Sequence, residues 1–485
     1  MIDNYSQISK EELIEGYVAL KNENILLRAE LDQIKRLIYG SKSERFVPPA
    51  TDNNQIVLDL ETDPPVATPA ETLQTIIYER VKKQTVSVHS GRNPLPAHLP
   101  RVEIVIEPAQ DVNGLKMIGS EITEQLEHEP GKFFVKQFIR PKYVTAGGSI
   151  IIGELPSRPI DKGIPGSGLL ASIIIDKYAD HLPLYRQMER FKRNGITLAS
   201  STLGEWMSAS CSLLTPLHQS LKLKVLSSDY LQVDETPIKV LDRDKKGKTH
   251  RGYYWVYRDP VNELVLFDYR QGRGRDGPTE LLKDFKGYLQ TDGYGVYDAF
   301  DKGDVTLLHC MAHARRYFEQ ALDNDLPRSE YILSELQKLY AVEKTAREQS
   351  LNHEQRQVLR EQKSVPVLQS IHQWLKDNII QVLPKSSIGQ AIAYSLSRWE
   401  KLMIYAGEGK LEIDNNLVEN SIRPIAIGRK NYLFAGSHES ARKAAMIYSL
   451  LGTCKLKGIE PYAWLKNILD VLPDHKSNKL HELLP

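Results

Sequence analysis

Only three cysteines, Cys211, Cys310 and Cys454, occur in 485 residues, and they lie far apart. Three scattered thiols exclude a disulfide framework and point to a reducing compartment. A surplus of one charge is missing as well. Lys and Arg number 63 against 62 Asp and Glu, a formal net charge of +1. The chain as a whole therefore does not advertise a polyanionic partner, and any nucleic-acid surface must be a local basic patch. No apolar run approaches the roughly 18 residues needed to span a bilayer. MIDNYSQISKEELIEG at the N-terminus lacks the basic segment and apolar core of a secretory signal. The expected setting is the cytoplasm, without a membrane partner. What remains, at 41% hydrophobic and 26% charged residues, reads as a globular protein of two to four domains.

The pattern along the chain predicts seven segments. In 1–46, Leu13, Leu20, Leu27 and Ile34 fall seven apart, with Tyr17, Asn24, Leu31 and Ile38 between them. This heptad predicts a coiled-coil helix for self-association, with Asn24 fixing register. Residues 47–75 form an acidic, Pro-rich linker without Lys or Arg. Short alternating runs in 76–160 (VEIVIEP, KFFVKQFI, SIIIGELP) predict a small β-rich module. Residues 161–224 read as a helix-turn-helix-like DNA-binding domain, whose last helix opens with Thr202 and Glu205 at capping-box spacing. In 225–324, three strands, a helix, a strand, a short helix and a strand follow one another, the order of a ribonuclease-H-like core. A helical insertion is expected at 325–405. Completion of the core and C-terminal helices are expected at 406–485. The fold class is α/β multidomain.

Three acids stand out by place. Asp234 interrupts the otherwise apolar strand LQVDETP. Asp292 ends the strand YLQTDGYG beside Gly293, which permits close backbone approach. Glu419 shares a helical face with Asn416, Asn420 and Arg423. Phosphodiester chemistry on DNA suits such a set, because hard divalent cations prefer carboxylate oxygens and two of them stabilise the attacking and leaving oxygens. Among 62 acidic residues, spacing alone leaves other trios open. Glu235 adjoins Asp234, although strand alternation sends it to the opposite face.

The segments LIYGSKSERF, PLPAHLPR, IRPKY, KYADHLPLYRQ, STLGEWM, VDETPIKVLD, LQTDGYGVYDAF, HCMAHARRYFEQA and VENSIRPIAIGRKNYLFAGS, from about residue 30 to the end, resemble the transposases of the IS66 insertion-sequence family. The resemblance implies a DDE-type enzyme that binds the terminal repeats of its element, cuts DNA with metal and transfers the strand. Its triad maps onto Asp234, Asp292 and Glu419, as catalytic residues and as ligands of two Mg2+ or Mn2+ ions. The intervals are 292 − 234 = 58 and 419 − 292 = 127. Implied partners are double-stranded DNA at the element ends and target, further copies of the chain, and accessory proteins of the same element, at the nucleoid. One departure is plain: EPAQDVNGLKMIG and KYVTAGGSI carry none of the cysteine pairs usual in the family's β-rich module, so no structural zinc is expected.

Candidate DNA contacts are Arg186, Arg190, Lys192 and Arg193 in the helical domain, and His313, Arg315 and Arg316 after the fifth strand. Cys310 and His313 form a C-x-x-H pair, read as a packed thiol beside an imidazole. Arg423, Arg429 and Lys430 flank the third acid, where Tyr432 and Phe434 offer stacking surfaces. Two other functions fit the same residues: a ribonuclease-H-like nuclease without strand transfer, and an inactive or repurposed DNA-binding regulator.

Overall fold

The computed structural model describes residues 95–485 except 96, 98, 130 and 242–247. The expected coiled coil and acidic linker lie outside the described residues. The first sheet is mixed. Strand β1 (Arg101–Val105) pairs parallel with β3 (Lys132–Val144), while β2 (Lys116–Glu129) and β4 (Ile150–Ile152) pair antiparallel with β3. The longest of the four, β2, escapes the sequence pattern. KMIGSEITEQLEHE is rich in Glu and poor in alternation, and pairing with β3 along its whole length makes it a strand. Its inner end, Gln125 to His128, is buried, and Leu126 meets Pro165 in an isolated bridge at the start of the helices.

Helices α1 (Ser167–Tyr178), α2 (Leu184–Arg193) and α3 (Ser200–Leu226) follow. The expected capping box is absent. α3 begins three residues early, its N-cap is Ala199 rather than Thr202, and no side chain caps it. The apolar spacing continues through Leu214, Leu217, Leu221 and Val225, all fully buried, so most of this 27-residue helix is a core element.

The second sheet has the order β7-β6-β5-β8-β9, formed by β5 (Tyr230–Leu241), β6 (Thr249–Asp259), β7 (Leu264–Arg270), β8 (Gly287–Thr291) and β9 (Val305–His309). The first three run antiparallel to their neighbours, and β5, β8 and β9 are mutually parallel. Between β7 and β8 lies the short α4 (Asp276–Leu281), and a 3-10 turn (Tyr297–Phe300) precedes β9. Parallel neighbours require a crossover, which brings both chain exits to the same sheet end.

After α5 (Met311–Gln320), helices α6 (Leu326–Glu348), α7 (His353–Ile379), α8 (Ser387–Ser397) and α9 (Trp399–Met403) build a second hydrophobic core around Leu339, Leu368, Leu375 and Ile392. α7 starts with a complete capping box between Asn352 and Gln355. The chain then returns to the sheet through α10 (Asn416–Asn431), α11 (His438–Leu456) and α12 (Pro461–Val471). α11 covers the edge strand: Ser449 Oγ and Thr453 Oγ1 accept the backbone N–H groups of Phe267 and Val265 at 2.8 and 3.3 Å. An edge satisfied this way has fewer free groups to pair with another chain. No helix among the described residues is long and apolar enough to cross a membrane.

Candidate active site

The register explains the spacing of the first two acids. β5 and β8 pair as Tyr230 with Tyr288 and Gln232 with Gln290, an offset of 58 residues. Asp234 and Asp292 are separated by the same 58, so they occupy equivalent places just beyond the paired stretch of adjacent parallel strands. Both are half-buried. One oxygen of each is held by the backbone: Asp234 Oδ1 accepts Glu235 N–H at 2.7 Å, and Asp292 Oδ1 accepts Tyr294 N–H at 2.8 Å. Among the described residues the second oxygen of each has no hydrogen-bond partner.

Glu419 reaches the same place by long-range anchoring. Tyr230, Gln232 and Gln290 are polar side chains buried in apolar strands. Gln232 Nε2 donates to Asp414 O at 2.9 Å, and its Oε1 accepts Val418 N–H at 3.2 Å. Gln290 Nε2 donates to Glu412 O at 2.8 Å, while Tyr230 Oη accepts Glu412 N–H at 3.0 Å. Asn415 adds a bond from Nδ2 to Val233 O at 3.4 Å, and its own N–H goes to Cys310 Sγ at 3.2 Å. These contacts seat the first turn of α10 against β5, with Val418 inward and Glu419 at the boundary of core and solvent. The Glu419 carboxylate makes no hydrogen bond or ion pair among the described residues.

Electrostatics tie the three together. Burial first, and then the charges of Glu235, Asp292 and Glu419, push Asp234 up to about 8 against the Glu235 backbone N–H that opposes them. Among the described residues no Lys or Arg forms an ion pair with any of the three acids. Glu235, in contrast, takes Arg273 (Nη2–Oε1 2.6 Å) and the Tyr297 hydroxyl (3.0 Å), and its side chain is only 3% exposed. Alternation has indeed turned it to other partners.

His313 senses Asp292 and Glu419, yet burial lowers its pKa, and its Nδ1 has no partner. Cys310 is a packed thiol, buried and pushed up to about 12 by that burial. The side chains as they stand are not closed into a cage. Among the described residues no group of three or more His, Cys, Asp or Glu is gathered tightly enough to hold a metal ion. The donor set nevertheless fits a hard divalent cation: oxygen only, mutually repelling, and without a protein counter-charge.

The helical segment also touches the site. Tyr394 Oη donates to Asp292 O at 3.1 Å, and Arg398 Nη2 donates to Gly293 O at 3.4 Å. Gly293 has φ +87°, which favours glycine, and a Cβ there would crowd Arg398 Nε at 3.0 Å and Tyr394 Oη at 3.1 Å. Tyr394 is itself stacked on Tyr317 and lies under the Arg398 guanidinium. Sequence reading missed these two residues, which lie more than 100 positions from Asp292 with no local mark. It also missed Gln232 and Gln290, whose signal was available: like Asp234, each is polar inside an apolar strand.

The basic candidates divide. Arg190 is engaged by Asp176 in the helical domain, whereas Arg186, Lys192 and Arg193 are exposed. Arg315 pairs with Glu319 at 2.8 Å, and Arg316 is exposed. Arg429 donates to Pro237 O and is half-buried, so it fastens α10 to β5. Arg423 and Lys430 are exposed and make no ion pair among the described residues. Tyr432 turns inward to the Tyr448 hydroxyl, while Phe434 stays 44% exposed.

The fold and this site define an α/β protein with an all-carboxylate site at the end of a mixed sheet. The chain belongs to the IS66 family of transposases. The family described as "Transposase IS66 family" matches residues 162–443, "IS66 C-terminal element" matches 449–485, and "Transposase C of IS166 homeodomain" matches 26–104. Relatives from Sinorhizobium fredii (strain NBRC 101917 / NGR234) run the full length. Uncharacterized protein y4jD is 32% identical over 98% of this chain and 97% of its own. Uncharacterized protein y4qI is 32% identical over 96% and 89%, and uncharacterized protein y4hP 30% over 95% and 88%.

Proposed function

We propose that the chain binds the terminal repeats of its mobile element and catalyses metal-dependent DNA cleavage followed by strand transfer, with Asp234, Asp292 and Glu419 as the acids that do the chemistry. The observation that carries this reading is a trio of half-buried carboxylates, two at equivalent places at the ends of adjacent parallel strands and one on a pinned helix, with no cationic partner among the described residues. The strand order, three antiparallel then two parallel, supports a ribonuclease-H-like core. The family's DDE type supports use of a divalent metal.

Asp234 and Asp292 would hold the ions through their free oxygens, with Glu419 as the third ligand. Bound ions of this kind supply a nucleophile at neutral pH and neutralise charge on the attacking and leaving oxygens. The protein's own part is positional. Backbone N–H groups orient the two aspartates, Tyr394 and Arg398 hold the loop carrying Asp292, and Gln232 holds the helix carrying Glu419. Arg423 and Lys430 present exposed charge beside the third acid for DNA phosphates, which position the duplex without reading its sequence. Contacts from Arg186, Lys192, Arg193 and Arg316 belong to the same proposal, as do self-association through 1–46 and the domain limits given above. Linear DNA carrying one terminal repeat, incubated with Mg2+ and the full chain, tests it. Nicking at the repeat end by the wild type and none by Asp234→Asn, with repeat binding retained by both, is the expected result. Cleavage by Asp234→Asn at the wild-type rate would exclude the assignment, and pre-cut ends that are never joined to target would reduce the function to nuclease.

A further inference from the structure

A cavity of about 210 Å³ opens beside the far half of β5, walled by Tyr178, Tyr254, Tyr432 and Tyr448, with Phe434 and Lys177 also lining it. Its volume lies below the ~300–1,000 Å³ of sites for drug-sized ligands, so it has room for a single ring system. Its walls are aromatic faces, yet it is not an apolar void. The hydroxyls of Tyr178 and Tyr254 have no hydrogen-bond partner among the described residues. Lys177 has no carboxylate partner there either, and its ammonium group lies 5.2 Å from the Tyr178 ring centre. Burial lowers the Lys177 pKa, as expected for an amine without a counter-charge. Donors that line a cavity and that no described protein group engages suit a ligand that supplies acceptors.

The position narrows the ligand. Ile238, which lines the same cavity, follows Asp234 by four residues on β5, roughly 13 Å at strand rise. That span equals about four stacked bases at ~3.4 Å each. Arg423 and Lys430, exposed and unpaired on α10, lie on the helix that runs from Glu419 toward this cavity. Phe434, 44% exposed, offers an apolar face at the protein surface.

We infer that this cavity receives one nucleobase unstacked from DNA within a few nucleotides of the cut phosphate, held between tyrosine faces with Lys177 and the tyrosine hydroxyls at its edge. Flat rings with donors and acceptors on the rim are what the walls complement. A base taken out of the stack is gripped in this manner, by aromatic contact and by hydrogen bonds to its edge. The inference rests on the proposed function, because it requires DNA at the carboxylate site.

The test uses the full chain and repeat-end DNA carrying 5-iododeoxyuridine at one position at a time across the first six nucleotides on each side of the cut. Irradiation is expected to crosslink one position to Tyr178, Tyr254, Tyr432 or Phe434, read by mass spectrometry of the peptide. Phe434→Ala and Lys177→Met, checked for an unchanged melting temperature, are each expected to weaken repeat binding roughly tenfold, within the range of one base–aromatic stack. On DNA made abasic at the crosslinking position, variants and wild type are expected to bind alike. A chain that cuts its DNA but crosslinks from no position to these residues overturns the inference alone. So do variants that lose as much affinity on the abasic DNA. A chain that binds no repeat DNA overturns the proposed function, and this inference falls with it.

Discussion

Two buried acids in this chain meet opposite fates. In the helical segment, Glu343 is fully buried between Arg356 and Arg360, at 2.7 and 2.8 Å, and their charges hold its carboxyl below the ordinary range despite burial. At the sheet end, the charges that act on Asp234 are those of other acids, and it is pushed up to about 8, first by burial. The first arrangement is complete in itself. Arg360 also donates to the carbonyls of Tyr405 and Leu411, and Arg356 reaches Glu412, so the network fastens the segment leading into α10. The second is incomplete, since no ion pair among the described residues balances its charge. A fold can tolerate such a defect where a ligand cancels it, and perturbed acids of this kind collect at functional sites.

Breaking the complete site is expected to have the largest effect on stability. Glu343→Gln leaves the buried Arg360 guanidinium without an anion, while Arg356 keeps Glu412, and losses of about 3–5 kcal/mol follow from breaking buried pairs. Urea denaturation followed by circular dichroism measures it, and a loss under about 1 kcal/mol would make the network ornamental. Filling the incomplete site is expected to come next. Mn2+ at about 100 times its dissociation constant raises stability by ~2.7 kcal/mol through mass action. Asp234→Asn is expected to lose most of that gain in a thermal-shift assay, and an equal rise in both proteins would place the ion elsewhere.

The contrast also tells how far the sequence could be read. Asp234 stood out because a carboxylate in an apolar strand violates the pattern around it, and Asp292 because it closes a strand beside a glycine; both are local signals. Glu419 needed the family resemblance, since a glutamate on an amphipathic helix violates nothing. The parallel register that makes 58 residues the right interval is not visible in either strand alone. Strand β2 was missed because its stability comes from pairing with β3, not from its own alternation. Thr202 and Glu205 matched a capping box, yet α3 starts at Ser200, as tertiary packing of Leu203 and Trp206 extends the helix past the local signal. Arg190 and Arg429 looked like free cations, and the partners that take them, Asp176 and the Pro237 carbonyl, are remote in sequence.

Acid conditions set the two kinds of buried group against each other. His128, His218 and His309 are held near 4, chiefly by burial, against about 6.5 in an unfolded chain. Below pH 6.5 the unfolded chain therefore binds the extra protons, and stability falls as pH drops toward 4. Asp234 works in the other direction. With its folded value raised to about 8, the native state binds the extra proton between that value and the ordinary carboxylate range, so acid favours it. Between pH 7 and 5 the net change from these four groups is expected to be a loss of roughly 3 kcal/mol. Asp234→Asn removes the compensating term and is expected to steepen that slope. Urea midpoints at the two pH values decide the point, and parallel slopes would mean that Asp234 is an ordinary exposed acid.

The smallest effect sharpens the comparison most, because it asks whether the complete region serves the incomplete one. Tyr394 belongs to α8, in the helical segment, but its hydroxyl is spent on the carbonyl of Asp292. Tyr394→Phe removes one hydrogen bond and keeps the ring stacked on Tyr317, so stability should fall by only about 0.5–1.5 kcal/mol. If the helices merely fold beside the site, cleavage should track that small loss at every metal concentration. If they hold the Asp292 loop in place, the variant should need several-fold more Mg2+ for half-maximal cleavage while binding repeat DNA as the wild type does. The second outcome is expected, since Gly293 leaves the loop with little stiffness of its own and Arg398 and Tyr394 are the side chains that meet it.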